Sequence, residues 1–201
     1  MKKKQLNSRE EQILLLLKKF DFMTRDQLNN YFKFGSNRHA NRVLNGISDY
    51  LMSIREGYQT IYYLSKIGKS YVDCEKIRKK GGHVYHTVMR NEMWLFFDTP
   101  KKWKNEIKVS DGTVSVVVDS MFTDNWDRRH FLEVDNMQTM KENRNKIKRY
   151  KELFRNGSLE EKLGHFPTIV WMTTTEHRRE QLKEECEGLP AVMVFTITDI
   201  K

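Results

Sequence analysis

The stretch from Gly35 to Leu64, GSNRHANRVLNGISDYLMSIREGYQTIYYL, restricts what this chain can fold into more than any other part of it. At 3.6 residues per turn, Ala40, Val43, Leu44, Ile47 and Leu51 fall on one stripe, and Arg38, Asn41, Arg42 and Asn45 fall on the opposite one. One face packs and the other presents long polar donors. Two β-rich runs follow at once, Met52 to Arg55 and Gln59 to Leu64, joined by the short Gly-containing connection Glu56-Gly57-Tyr58. A helix of this polarity feeding a hairpin is the sequence form of a winged helix, whose helix enters a DNA major groove while the hairpin touches the backbone beside it. On that reading Arg38, Asn41, Arg42 and Asn45 reach bases or phosphates, with Arg to guanine and Asn to adenine the natural pairs, and Lys33, Ser36 and Arg55 hold the backbone. The competing reading is a plain solvated face. The expected partner is double-stranded DNA, and binding it requires no cofactor.

Upstream, Asn7 or Ser8 is placed to cap a first helix with Glu10 and Glu11 in its opening turn and Ile13, Leu14, Leu17 and Phe20 facing inward. Leu15 and Leu16 widen that stripe enough to suit either the core or a second copy, so a homodimer through this helix is one expectation. Thr24 caps a second helix, Lys33-Phe34-Gly35 turns the chain, and Ser36 caps the third, where Asn45-Gly46 marks a kink or an end. After the hairpin, Ser65 caps a helix read as running through KIGKSYVDCEKIRKK until Gly81-Gly82 breaks it.

Charge supports a division there. Residues 1–80 hold 17 Lys+Arg against 8 Asp+Glu, which is the whole +9 of the chain, and the rest is neutral. A basic part joined to a neutral part fits a nucleic-acid-binding domain, 1–80, followed by a second domain, 81–201, with another task. With 38% hydrophobic and 31% charged residues the chain reads as ordered and globular. No apolar run approaches the roughly 20 residues of a membrane span, and no cleavage-site pattern follows the MKKK start, so a cytoplasmic protein is expected. Cys74 and Cys186 suggest neither a disulfide framework nor a thiolate zinc site, and His83 with His86 lacks further ligands at zinc spacing.

The second part opens with the helical pattern HVYHTVMRNEMWLFF, then three strand-like runs, Trp103 to Val109, Thr113 to Ser120 and His130 to Val134, with Asp111-Gly112 at the first turn. A charged helix, Lys141 to Phe154, precedes a buried strand at Thr168 to Met172, a polar helix at Glu176 to Cys186 and a last strand at Ala191 to Ile197. The order αβββαβαβ predicts a mixed sheet flanked by helices, an α+β or α/β second domain. Asp119 ends one strand, and Glu133 and Asp135 end the next on a shared face. If the strands are neighbours, these carboxylates meet at one end of the sheet as candidate metal ligands, Asp119, Glu133 and Asp135, for activating a water against a phosphodiester. Glu92, on the preceding helix, would complete the site from the side.

These residues carry a resemblance. An acid on the helix before the sheet, an acid ending the second strand and E-x-K ending the third form the PD-(D/E)XK nuclease arrangement, and Glu92, Asp119 and Glu133 occupy those places. The whole, with YYLSKIGKSYV after the hairpin, resembles the replication-relaxation family of Gram-positive plasmids and integrative elements over about residues 9 to 175. The resemblance implies an N-terminal winged helix-turn-helix followed by a restriction-endonuclease-like domain, DNA binding tied to the replication, transfer or transcriptional control of a plasmid, phage or integrative element, and a replication or relaxase protein as partner. Val118 stands where the nuclease motif has proline, and Asp135 where it has lysine; Lys146, on the following helix, would have to substitute. The expectation is a degenerate scaffold. The alternative is a magnesium-dependent DNA nuclease using Glu92, Asp119, Glu133 and Lys146 as catalytic residues.

Overall fold

The computed structural model describes residues 5–76, 81 and 83–200. The chain forms two compact units, Met1–Asn91 and Glu92–Lys201.

In the first unit the elements are α1 (Ser8–Phe20), β1 (Met23–Thr24), α2 (Arg25–Phe32), α3 (Asn37–Gly46), a 3-10 turn (Ser48–Tyr50), β2 (Leu51–Glu56), β3 (Gln59–Leu64), α4 (Lys66–Tyr71) and the start of α5 (His83–Phe96). Four of these helices begin where a short polar side chain meets orphan backbone N–H groups, the Ser65 hydroxyl accepting from Gly68 at the start of α4. Asn7 and Glu10 form a capping box on α1, Thr24 and Gln27 form one on α2, and the Ser36 hydroxyl accepts from His39 on α3. Ile13, Leu14, Leu17, Phe20, Leu28, Ala40 and Leu44 are buried together with Ile47 of the following turn. β2 and β3 pair antiparallel from Leu51↔Leu64 to Glu56↔Gln59, leaving a two-residue loop whose first residue, Gly57, has φ of 56°. A two-residue hairpin loop favours that positive φ because it matches the strand twist. β1 adds to the other edge of β3 through Met23↔Tyr62 and Thr24↔Ile61, giving the order β1-β3-β2.

Two expectations change in this unit. The helix after the hairpin stops at Tyr71, because Asp73 takes φ of 50°, and Ile77 to Lys80 with Gly82 lie outside the described residues. The second unit begins at Glu92, eleven residues later than the expected start at Gly81. Val84 and Val88 of α5 pack with Phe22 and Ile61, Gln27 donates to the Val88 carbonyl at 2.8 Å, and Asn91 donates to the carbonyls of Phe20 (3.0 Å) and Phe22 (2.7 Å). The helix has ended ten residues before Gly81, and the apolar stripe of α5 belongs to the first core.

The second unit holds β4 (Lys104–Ser110), β5 (Ser115–Thr123), β6 (Arg129–Asp135), α6 (Met140–Asn156), α7 (Ser158–Leu163), β7 (Thr168–Thr173), α8 (Glu176–Glu185) and β8 (Val192–Thr196). Its five strands form one mixed sheet in the order β4-β5-β6-β7-β8, antiparallel through β6 and parallel from β6 to β8. The parallel joins are made by α6 with α7 and by α8, as parallel neighbours require a crossover. This is an α+β unit with a mixed sheet, and the short α7 is an element the sequence pattern does not announce. Phe131, Ile147, Tyr150, Leu153 and Trp171 centre the core beneath α6.

Candidate nucleic-acid interface and acidic site

Of the polar residues on α3, Arg38, Arg42 and Asn45 are exposed and Asn41 is half-buried, while Ala40 and Leu44 on the reverse face are buried. Ser36, Arg38, His39, Asn41, Arg42 and Asn45 line an open concavity of about 540 Å³. The turn leading into it is braced. Lys33 closes α2 in the left-handed region at φ of 51°, the Arg9 guanidinium lies 4.6 Å from the centre of the Phe34 ring, and His39 Nδ1 is 3.1 Å from the Phe34 carbonyl. Lys33, Ser36 and Arg55 are exposed, although the Ser36 hydroxyl is engaged as the cap. The helix ends at Gly46, so Asn45 occupies its last turn. Tyr58, at the hairpin tip, is 98% exposed.

A second constellation lies where β5 and β6 part. Their pairing runs from Thr123↔Arg129 to Ser120↔Leu132, and beyond it the Asp119 carboxylate accepts from the Val134 N–H at 2.7 Å. Asp119 reaches that position because the side-chain alternation of β5 slips: Val118 and Met121, three apart, both pack on the α6 side. Opposite Asp119 on β4, Glu106 adopts φ of 54°. Glu133, one residue before Val134, is fully buried, with one carboxylate oxygen accepting from the Tyr150 hydroxyl and the other from the Lys146 ammonium. Burial pushes the Glu133 carboxyl up to about 8; Lys146 opposes this, the Asp119 charge adds to it, and the hydrogen bonds from Lys146 and Tyr150 oppose it. The Tyr150 hydroxyl is driven well above its usual range, first by burial and then by the Glu133 charge.

Asp135 has a different setting. One of its oxygens accepts from Asn143 at 2.9 Å and from Arg178, and the other accepts from Thr173 at 2.7 Å and from Arg178 Nε at 2.8 Å. Those bonds outweigh burial and hold its carboxyl below the ordinary range.

A family model described as Replication-relaxation matches residues 14–169. The chain belongs to the replication-relaxation family. No curated protein matches it. Among solved structures, protein VC1899 from Vibrio cholerae is 12% identical with a TM-score of 0.39, the match covering 98% of this chain and 55% of that one. A repair endonuclease from Pyrococcus abyssi is 17% identical with a TM-score of 0.31, over 73% of this chain and 59% of that one. The chain thus spans a little over half the length of each.

In this replication-relaxation protein the sheet brings Asp119 and Glu133 to one place and α6 adds Lys146, while Glu92 sits half-buried on α5. Among the described residues no three or more His, Cys, Asp or Glu side chains are gathered as metal ligands. The donor set as arranged does not fit magnesium, a hard cation that asks for unencumbered oxygens, because an ammonium and a phenol sit on Glu133 and Asp135 is enclosed by Arg178, Asn143 and Thr173. Asp135, expected as a metal ligand, is buried and ion-paired with the half-buried Arg178. Tyr150, Asn143, Thr173 and Arg178 are the residues sequence reasoning missed; the usable signal was Asn143, Lys146 and Tyr150, three and four apart on one face of an otherwise charged helix. Burial pushes the Cys186 thiol up to about 12, which leaves it an unreactive core residue.

Proposed function

We propose that this replication-relaxation protein binds duplex DNA for a plasmid, phage or integrative element, with the first unit acting as a winged helix and the second as a nuclease-like scaffold without catalytic duty. The observation that carries this reading is the split face of α3: Arg38, Arg42 and Asn45 stand in solvent on a helix whose other side is buried, and the hairpin that follows it in the chain exposes Arg55. The concentration of the chain's net charge of +9 within residues 1–80 supports the same assignment. Arg38 and Arg42 read bases or phosphates, and Lys33 and Arg55 hold the backbone. Fluorescence anisotropy on a selected duplex tests this. Arg42→Ala weakens binding by about 1–3 kcal/mol if Arg42 reads a base, and lowers the salt slope by about 1 if it meets a phosphate. Unchanged affinity and salt slope in both Arg38→Ala and Arg42→Ala would overturn the reading.

One observation favours a second reading, a metal-dependent nuclease. Lys146 delivers to Glu133, beside Asp119, the ammonium that the strand itself lacks at Asp135. That reading requires Lys146 and Tyr150 to release Glu133. Cleavage of DNA with magnesium or manganese that is abolished by Asp119→Ala and Glu133→Ala would establish it; duplex affinity retained in both variants, with no cleavage by the wild type, supports the scaffold.

A further inference from the structure

Large aromatic side chains contribute most when buried, and three of the four tryptophans follow that rule: Trp94 and Trp103 are 4% exposed and Trp171 is 1%. Trp126, in the loop between β5 and β6, is 76% exposed. Its exposure is built rather than incidental. The Asp124 carboxylate accepts from the backbone N–H groups of Trp126 and Arg128, each at 2.9 Å, and from Arg128 Nε at 3.0 Å. Backbone bonds from Asp124 to the Arg128 carbonyl (3.0 Å) and from Asp127 to the Asp124 carbonyl (3.1 Å) close the loop, and Asp127 takes φ of 59°. Trp126 is therefore held outward on a fixed loop.

The ring's surroundings define what it suits. The Arg128 guanidinium stands 5.1 Å from the ring centre, and Lys102 pairs with Asp127 at 3.0 Å. The following residue, Arg129, is exposed and its guanidinium has no ion pair among the described residues. Residues 125 and 127–129 are all polar and exposed, so the loop itself supplies no apolar collar of the kind that excludes water at a protein hot spot. A flat ring beside Arg128, Arg129 and Lys102 matches the chemistry of an unpaired nucleotide, with a base against the indole and phosphates on Arg129 and, in exchange for Asp124 and Asp127, on Arg128 and Lys102. A duplex keeps its bases stacked on one another and offers the indole no face.

We infer that the β5–β6 loop is a single-stranded DNA contact, with Trp126 stacking on an unpaired base and Arg128, Arg129 and Lys102 holding the adjoining phosphates. This site uses none of the α3 residues and not the Glu133 carboxylate, and it gives the second unit a binding task that needs no metal. It also suits a replication protein, since opening a duplex creates the strand this loop would hold.

Because the other tryptophans are buried, quenching of the protein's fluorescence reports on Trp126. The full chain is titrated with a thymidine oligonucleotide, an abasic oligonucleotide of the same length, and a duplex of that length; the affinity of labelled thymidine oligonucleotide is measured in parallel by anisotropy. The expected result is salt-sensitive quenching by the thymidine strand only, and affinity at least about fivefold weaker in Trp126→Ala, as for loss of one base stack. Trp126→Phe should recover part of it, and the thermal midpoint should be unchanged in both variants. Equal quenching by the abasic strand would mean charge attraction without stacking, and equal quenching by the duplex would remove the preference for an unpaired strand. No quenching by any of the three, as for a protein-docking loop, or wild-type affinity in Trp126→Ala, would likewise overturn the inference.

Discussion

Replacing Glu133 by glutamine tests whether burial governs the second unit's electrostatics. A carboxyl with no exposure and a folded pKa of about 8, against 4.5 in the unfolded chain, keeps a proton on folding that the unfolded chain loses between those values. In that window the unfolded state binds fewer protons, so stability falls as pH rises. The stabilisation is complete below about 4.5 and gone by about 8. At about 1.4 kcal/mol per pH unit, the loss is at most about 5 kcal/mol. Glutamine cannot ionise and still accepts from Tyr150, but it loses the charged bond from Lys146, worth about 1.5–3 kcal/mol. Glu133→Gln should therefore be no more stable than the wild type near pH 5, and more stable by about 2–3 kcal/mol near pH 8.5. Urea unfolding followed by tryptophan fluorescence suits the measurement, because buried Trp171 is Glu133's partner across β6 and β7. Stability curves for the two proteins that stay parallel between those pH values would refute the reasoning.

Gly68→Ala should destabilise the first unit by about 1–3 kcal/mol or more, read as a lower urea midpoint, because a Cβ there would stand 2.1 Å from the Tyr50 carbonyl oxygen. Arg178→Met should cost about 3–5 kcal/mol by leaving Asp135 buried without its counter-charge, whereas Asp135→Leu with Arg178→Met should recover most of that loss in the same unfolding assay. Tyr58→Ala should leave the thermal midpoint unchanged, as the side chain is 98% exposed, and weaken duplex binding in anisotropy if the hairpin tip lies against DNA.

How far the sequence could be read depended on the range of each interaction. The stripe Ala40, Leu44, Ile47 and the hairpin around Gly57 are legible because helix period and loop chemistry act within a few residues. Asp119 and Glu133 could be placed on neighbouring strands for the same reason, but Asp119, expected to end its strand, lies in the middle of β5, which continues to Thr123. β1 could not, since two residues become a strand only by pairing with Tyr62 and Ile61. The stop of α4 was hidden because the apolar pattern continues past Asp73 while the backbone turns left-handed there. Arg178, 43 residues from Asp135, and Lys146, 13 from Glu133, join the site only once α6 and α8 have packed on the sheet.

Those two late-arriving cations explain how β6 tolerates two acids on one buried face. Glu133 and Asp135 project from the same face of one buried strand, and with Asp119 nearby three carboxylates crowd one end of the sheet. A lysine at position 135 would have relieved that crowding locally. Here the relief is divided: Arg178 from α8 neutralises Asp135 through both of its oxygens, and Lys146 from α6 bonds Glu133. Because Arg178 also donates to the Gln138 carbonyl at 2.8 Å, it ties α8 to the segment that leads into α6, where Asn143 donates to Asp135. The same charges that a metal would have to displace therefore lock the two helices onto the sheet. A substitution that freed Asp135 to bind a cation would remove the contacts that hold α6, and with it Lys146, in place.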